Sequence, residues 1–149
     1  MIREASKHDL PHLIEMMRGY AQEGPVACLG DEDKHDEDHV AAVFLSLMAG
    51  RGFVLIDNDL RGMLAAIRGA NVWCPGVVEL RELAWYVLPA HRGATVGGRL
   101  WREFDRKAQK MLDAKLVDFV CTSVMATSPL IDYTRRGYQP LEATFFRDA

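Results

Sequence analysis

Residues Leu83 to Leu100 read LAWYVLPAHRGATVGGRL, and this stretch decides the fold. Its first part continues a run, from Val77 to Val87, that is rich in β-branched and aromatic residues and ends at Pro89. Such a run predicts a central strand. The strand feeds a loop of Arg92, Gly93, Ala94, Thr95, Val96, Gly97 and Gly98, inside which a helix begins. Small residues let this backbone turn tightly and bring several amide N–H groups onto one point, to which the helix N-terminus adds about half a positive charge. The loop is therefore a candidate phosphate site. No Gly-Lys-Ser/Thr follows it, and its glycines do not stand at GxGxxG spacing, so it is neither a P-loop nor a dinucleotide-binding turn.

Outward from this stretch, Val96, Leu100, Phe104, Ala108, Met111 and Leu112 share one helical face, with Arg102, Glu103, Arg106 and Lys110 off it. Leu116 to Cys121 then reads as a buried strand, Ser128 and Pro129 as the start of a short helix ending near Gly137, and Leu141 to Phe146 as a last strand. Upstream, Ile2 and Arg3 begin a short strand, and Ser6 with Asp9 forms a capping arrangement before the apolar series Leu10, Leu13, Ile14, Met17 and Tyr20. The acidic stretch DEDKHDEDH, Asp31 to His39, reads as a loop before a second helix carried by Val40, Val43, Phe44, Leu47 and Met48. Phe53 to Ile56 and Leu60 to Ile67, joined across DND, predict an antiparallel hairpin. The expected fold is a single α/β (α+β) domain over residues 1–149 with a mixed sheet, in the order β-α-α-β-β-β-α-β-α-β.

Composition narrows the function. Of 149 residues 49% are hydrophobic and 26% charged, and 18 basic residues against 21 acidic leave a net charge of −3. That balance excludes a protein built to coat nucleic acid. No run approaches a membrane span and the opening residues lack a signal-peptide core, so a cytoplasmic protein is expected. Cys28, Cys74 and Cys121 are too few and too widely spaced for a disulfide framework or a zinc site. His35, Asp36, Asp38 and His39 read better as a solvated acidic loop than as a metal site, and no metal is expected.

Two motifs resemble the GCN5-related N-acetyltransferases (GNAT). Val87, Pro89, Arg92, Val96 and Gly97 match the family's V-x-P strand end followed by R/Q-x-x-G-x-G/A, with Thr95 where that pattern has its first glycine. Tyr133 to Tyr138, YTRRGY, is similar to its Y-x-x-x-G-F/Y, and the family's asparagine about seven residues before that tyrosine is here Ala126. The resemblance covers nearly the whole chain and implies the acyl-CoA N-acyltransferase fold. It further implies acetyl-CoA as co-substrate, with the pyrophosphate on the amides from Arg92 to Gly98 and the pantetheine on the backbone of Trp85, Tyr86 and Val87, where the fourth strand splays from the fifth. Arg99, Arg102 and Arg106 follow on the same helix and suit the 3′-phosphate or ordinary helix surface.

The reaction it implies is direct attack by an amine on the thioester. Tyr133 is the implied proton donor to the departing thiolate, since a phenol stays protonated at neutral pH. For the base that deprotonates the amine, Glu82 is preferred and Glu79 is the competitor. Three residues apart on one strand, they face opposite sides unless a bulge intervenes. The acidic stretch favours a cationic acceptor if it borders that site. A CoA-binding domain of weak or no activity, with a regulatory or structural role, is the alternative reading. The residues leave open whether the chain works alone or as a homodimer.

Overall fold

The structure is a computed structural model that describes residues 1–126, 128 and 131–148. Its elements are β1 (Ile2–Glu4), α1 (Leu10–Glu23), α2 (Glu37–Ser46), β2 (Gly52–Asp57), β3 (Gly62–Ala70), β4 (Val78–Val87), α3 (Val96–Asp113) and β5 (Phe119–Cys121). The sheet runs β1-β2-β3-β4-β5. Its first four strands are antiparallel neighbours, and β5 lies parallel to β4.

Alternation along the strands divides the core in two. Phe53, Leu55, Leu64 and Leu80 pack against Val96, Leu100 and Phe104 of α3 on one face. Val54, Ile56, Met63 and Ala84 meet Leu13, Met16 and Phe44 of α1 and α2 on the other. The α3 face holds the spacing expected of it, with Val96, Leu100, Phe104 and Ala108 all buried. The entry to α1 is fixed electrostatically. Arg3 holds Asp9 through two hydrogen bonds of 2.8 Å, and the Ser6 amide donates to the same carboxylate at 2.8 Å, so the Asp9 pKa falls to about 2.

The acidic stretch is more ordered than a loop. Asp31 caps a 3₁₀ turn over Glu32–Lys34, and Asp36 accepts from the His39 amide at 3.0 Å, so α2 starts inside the stretch, ahead of its apolar series. The strand expected from Leu116 begins only at Phe119, because Lys115 takes φ +57° and Asp118 first bridges to Val78.

The C-terminal expectations need correction. Of the helix expected to start at Ser128 and Pro129, Pro129 lies outside the described residues, and the segment that ends at Gly137 is a 3₁₀ turn, Tyr133–Arg136. Asp132 is non-helical, with ψ 87°, and accepts from the Thr134 amide at 3.1 Å, which starts the turn afresh at that point. Leu141 to Phe146 forms no strand: β5 pairs over only three residues and the chain then leaves the sheet, so Leu141 and Phe145 remain 69% and 90% exposed.

Gly19 illustrates how tightly α1 lies on β4. A Cβ at this position would stand 2.5 Å from the Tyr86 hydroxyl oxygen. Helix propensity alone predicts that Gly19→Ala stabilises by about 1 kcal/mol. Crowding against a buried ring reverses the sign, and we expect a loss of about 1–3 kcal/mol by thermal or denaturant unfolding, with a smaller loss when Tyr86→Phe removes the hydroxyl. A gain on Gly19→Ala would show that α1 stands further off.

Candidate active site where β4 and β5 part

The two parallel strands pair only at Glu79 with Phe119, Leu80 with Val120 and Arg81 with Cys121. Past Cys121 the chain departs while β4 continues to Val87, which leaves the end of β4 with a strand neighbour on its β3 side alone among the described residues. The Leu88 amide donates to Arg61 on the β3 side at 2.9 Å, so the Val87 carbonyl, across the same planar peptide, faces the open edge. By the period of two, Trp85 presents its backbone groups there as well. Trp85, Tyr86 and Val87 thus form an unpaired strand edge in a cleft of about 490 Å³, walled by Tyr20 and Glu23 of α1 and by Met125.

The cleft leads to the N-terminus of α3. The first helix-type hydrogen bond of α3 runs from the Arg99 amide to the Thr95 carbonyl at 3.0 Å, and Thr95 makes no side-chain cap. The amides of Val96, Gly97 and Gly98 therefore lack intrahelical acceptors. Gly93, at φ +86°, turns the chain into this cradle. The Arg92 amide is already used, donating to Pro89 at 3.3 Å, so the cradle proper starts at Gly93. Trp85 lies beneath it, its indole nitrogen 3.9 Å from where a Gly97 Cβ would stand. A second cleft of about 380 Å³ adjoins Ala94, Thr95 and Gly98 and is lined by Trp85, Trp101, Arg102, Tyr133 and Arg136. Among the described residues the buried indole N–H groups of Trp85 and Trp101 find no acceptor, two donors beside a set of open amides. Arg99 is half-buried, and its Nε also finds no acceptor among the described residues.

Of the two glutamates, Glu82 is the buried one, and it reaches Ser123 just past the end of β5 without lining either cleft. It is 7% exposed, on the same face as Leu80, and accepts from the Ser123 hydroxyl at 3.3 Å. A bulge opposite Ala65 and Ala66 leaves Leu83 unpaired, so the alternation resets after Glu82 and carries Ala84 and Tyr86 to the α1 face. Burial pushes the Glu82 pKa up to about 7, against the Ser123 hydrogen bonds that pull it down. Glu79 has the opposite parity. It binds Asn71 at 3.0 Å and Arg81 at 3.2 Å near the start of β4, as an ordinary strand ion pair.

Tyr133 reaches the same place from the 3₁₀ turn. Its hydroxyl donates to the Ser123 carbonyl at 3.4 Å, so Glu82 and Tyr133 meet at one residue. The ring leans on Trp101 at 5.5 Å and Tyr138 at 6.2 Å, and Tyr138 is itself anchored by donating to Asp105 at 3.0 Å. Burial raises the Tyr133 pKa, which keeps its proton in place at neutral pH. Tyr20 approaches Glu82 from α1, its pKa raised by burial and by that carboxylate. Ser123 and Tyr20 carry no functional signal in the sequence. Tyr20 shows only a helical apolar period, and nothing local marks Ser123.

No family model and no curated protein sequence matches this chain. Solved structures do resemble it. An acetyltransferase from Trypanosoma brucei superposes with TM-score 0.67 at 15% identity, covering 100% of this chain and 99% of that one. A predicted acetyltransferase with acetyl-CoA from Clostridium acetobutylicum gives 0.67 at 14% identity, covering 99% of this chain and 95% of its own. A transcriptional regulator from Bacillus halodurans gives 0.62 at 15% identity, covering 97% and 99%.

Burying Glu82 has a cost that depends on pH. Because its folded pKa lies above the unfolded value, the penalty is absent in acid, grows as pH rises from about 4.5, and is complete above pH 7. Glu82→Gln should therefore raise Tm by several degrees at pH 8 and hardly at all at pH 4, measured by calorimetry. Equal shifts at both pH values would place the carboxylate in water. At these identities the likeness is one of architecture, and the chain has the GNAT-like acyl-CoA N-acyltransferase fold.

Proposed function

We propose that this chain, as one domain, is an N-acetyltransferase that moves an acetyl group from acetyl-CoA to a primary amine by direct attack in a ternary complex. The observation that carries the reading is the meeting of a buried carboxylate, Glu82, and a half-buried phenol, Tyr133, at Ser123, at the inner end of an open strand edge whose outer end is a helix N-terminus. A candidate base and a candidate acid thus converge on one residue beside a slot lined by backbone groups. Acyl transfer from an extended, phosphate-bearing donor to an amine needs that combination.

The residues present suit such a donor. The open amides from Gly93 to Gly98 would cradle the pyrophosphate, and the outward groups of Trp85 and Val87 would pair with the pantetheine amides as a strand neighbour does. Arg102 and Arg136, beside the second cleft, are placed for a further phosphate. Acetyl-CoA, when bound there, supplies the thioester whose C–S bond breaks as the amine forms its C–N bond. Glu82 takes the ammonium proton at a carboxylate oxygen, directly or through a water, and with a pKa of about 7 it is ionised in a large fraction of molecules at neutral pH. Tyr133 gives its hydroxyl proton to the departing sulfur and is reprotonated, directly or through a water, by the second proton that the nitrogen sheds as the amide forms. Tyr20 and Glu23 line the α1 side of the cleft, and the acidic segment meets α1 where Glu32 accepts from Gln22, one residue before Glu23, which favours a cationic acceptor.

A CoA-binding domain without turnover is the second reading, favoured by Thr95 and Ala126 standing where the family keeps glycine and asparagine. Release of CoA thiol on mixing acetyl-CoA with an amine panel separates the two. Binding without release would leave only the second.

Two substitutions test the assignment. Gly98→Glu puts a carboxylate into the cradle at a position where a Cβ meets no atom within 4 Å, so the fold should hold while acetyl-CoA affinity falls at least about tenfold. Gly97→Glu is the poorer probe, because its Cβ would press on Val87 at 3.4 Å. Tyr133→Phe keeps the ring against Trp101 and should lower kcat by about 10- to 100-fold with little change in KM for acetyl-CoA. Unchanged kcat would reduce Tyr133 to a packing residue.

A further inference from the structure

Arg92 lies across the slot that the pantetheine arm needs. Its Nε donates to the Val87 carbonyl at 2.8 Å, a terminal nitrogen pairs with Glu23 at 2.7 Å, and the guanidinium sits 5.2 Å over the Tyr86 ring. All four residues line the same cleft. The oxygen held by Arg92 is the outward-facing carbonyl at the end of β4. Arg92 thus satisfies the strand edge in the absence of any added strand.

We propose that Arg92 is a gate on the cofactor slot, latched by Glu23, and that the pyrophosphate of the incoming cofactor opens it. The inference rests on the acetyl-CoA reading of this site. Two features favour movement over a fixed strut. Arg92 and Glu23 are 44% and 42% exposed at their side chains, and an exposed pair of this kind is weakly held. The residues after Arg92, Gly93 to Gly98, form the amide cradle itself, so a phosphate bound there offers the guanidinium a stronger, doubly charged partner a few residues away. When the side chain turns to it, the Val87 carbonyl and the face of Tyr86 are released together. Cofactor capture and opening of the slot become one event, and a thioester without a pyrophosphate lacks the means to draw Arg92 off.

The latch and the gate can be separated by substitution. Glu23 is the last residue of α1, where a negative charge opposes the helix dipole, so its charge does not stabilise the helix end. Titration calorimetry with CoA should show Glu23→Gln binding about three- to fivefold more tightly than wild type, the range set by a weak exposed ion pair. In an Arg92→Ala background the same substitution should change affinity by less than about 1.5-fold. A crystal structure of the CoA complex should show the Val87 carbonyl paired with the pantetheine and Arg92 Nε no longer within hydrogen-bond distance of it. Unchanged or weaker binding by Glu23→Gln overturns the gate. So does equal tightening in both backgrounds, which would be loss of charge repulsion alone, and so does a complex in which Arg92 still donates to Val87. If wild type binds CoA and any of these results is found, the functional reading stands and only the gate falls. If wild type binds no CoA, both fall.

Discussion

Two parallel strands that pair for three residues and then separate set the terms for everything else in this molecule. A strand edge with unpaired N–H and C=O groups is a liability in a folded protein, and it must be covered, blunted or used. Here β4 is hydrogen-bonded to β3 along its length, yet from Glu82 to Val87 its other side has no strand beside it among the described residues. The gap admits Tyr20 and Glu23 from α1 on one side and Tyr133 from the C-terminal turn on the other. It also lets β4 run directly at the N-terminus of α3, where another set of backbone donors is unpaired. One break in the ladder thus joins a peptide-like slot to an anion cradle.

The same break explains the electrostatics. Glu82 is on the face that packs under α3 beyond the last paired residue of β5, too deep for water to solvate it well and supported by Ser123 alone among the described hydrogen bonds. Desolvation outweighs that support and the pKa rises to about 7. In an ordinary strand this would be a defect, costing stability at neutral pH for no gain. Asp9 and Asp57 show how the fold treats carboxylates kept for structure: each is nearly or fully buried, each is held by an arginine, and each has its pKa lowered by that arginine. Glu82 has no arginine among its described partners. Its departure from that pattern, within reach of the residue that also holds Tyr133, is what the proposed acid–base role rests on.

Much of this is legible in the sequence because the strongest signals are periodic. Val96, Leu100, Phe104 and Ala108 repeat over several turns, and the hairpin and β4 read from apolar runs cut by DND and GANVWCPG. Parity separates Glu82 from Glu79, and the two do face opposite ways. The bulge at Leu83, which resets the parity beyond them, leaves no mark in the residues. The C-terminal part misleads for a physical reason. LEATFF has the composition of a strand, but pairing is decided by whether a partner edge lies alongside, and β5 is too short to provide one. Asp31 and Asp36 look like loop charge in a run so acidic, although capping is what acidic residues ahead of a helical turn do. Ser123 and the Arg92 bridge are contacts between distant segments, for which a single sequence holds no local signal.

The unpaired end of β4 and the N-terminus of α3 form, in this account, one binding surface for acetyl-CoA. Amide-resolved NMR tests that claim most directly, by titrating the labelled chain with CoA and following each backbone N–H. The largest shifts should fall on Gly93 to Gly98 and on Trp85 to Val87, together and with one saturation curve, while β1 and the start of β4 stay still. No shifts, or shifts concentrated away from these two segments, would contradict it.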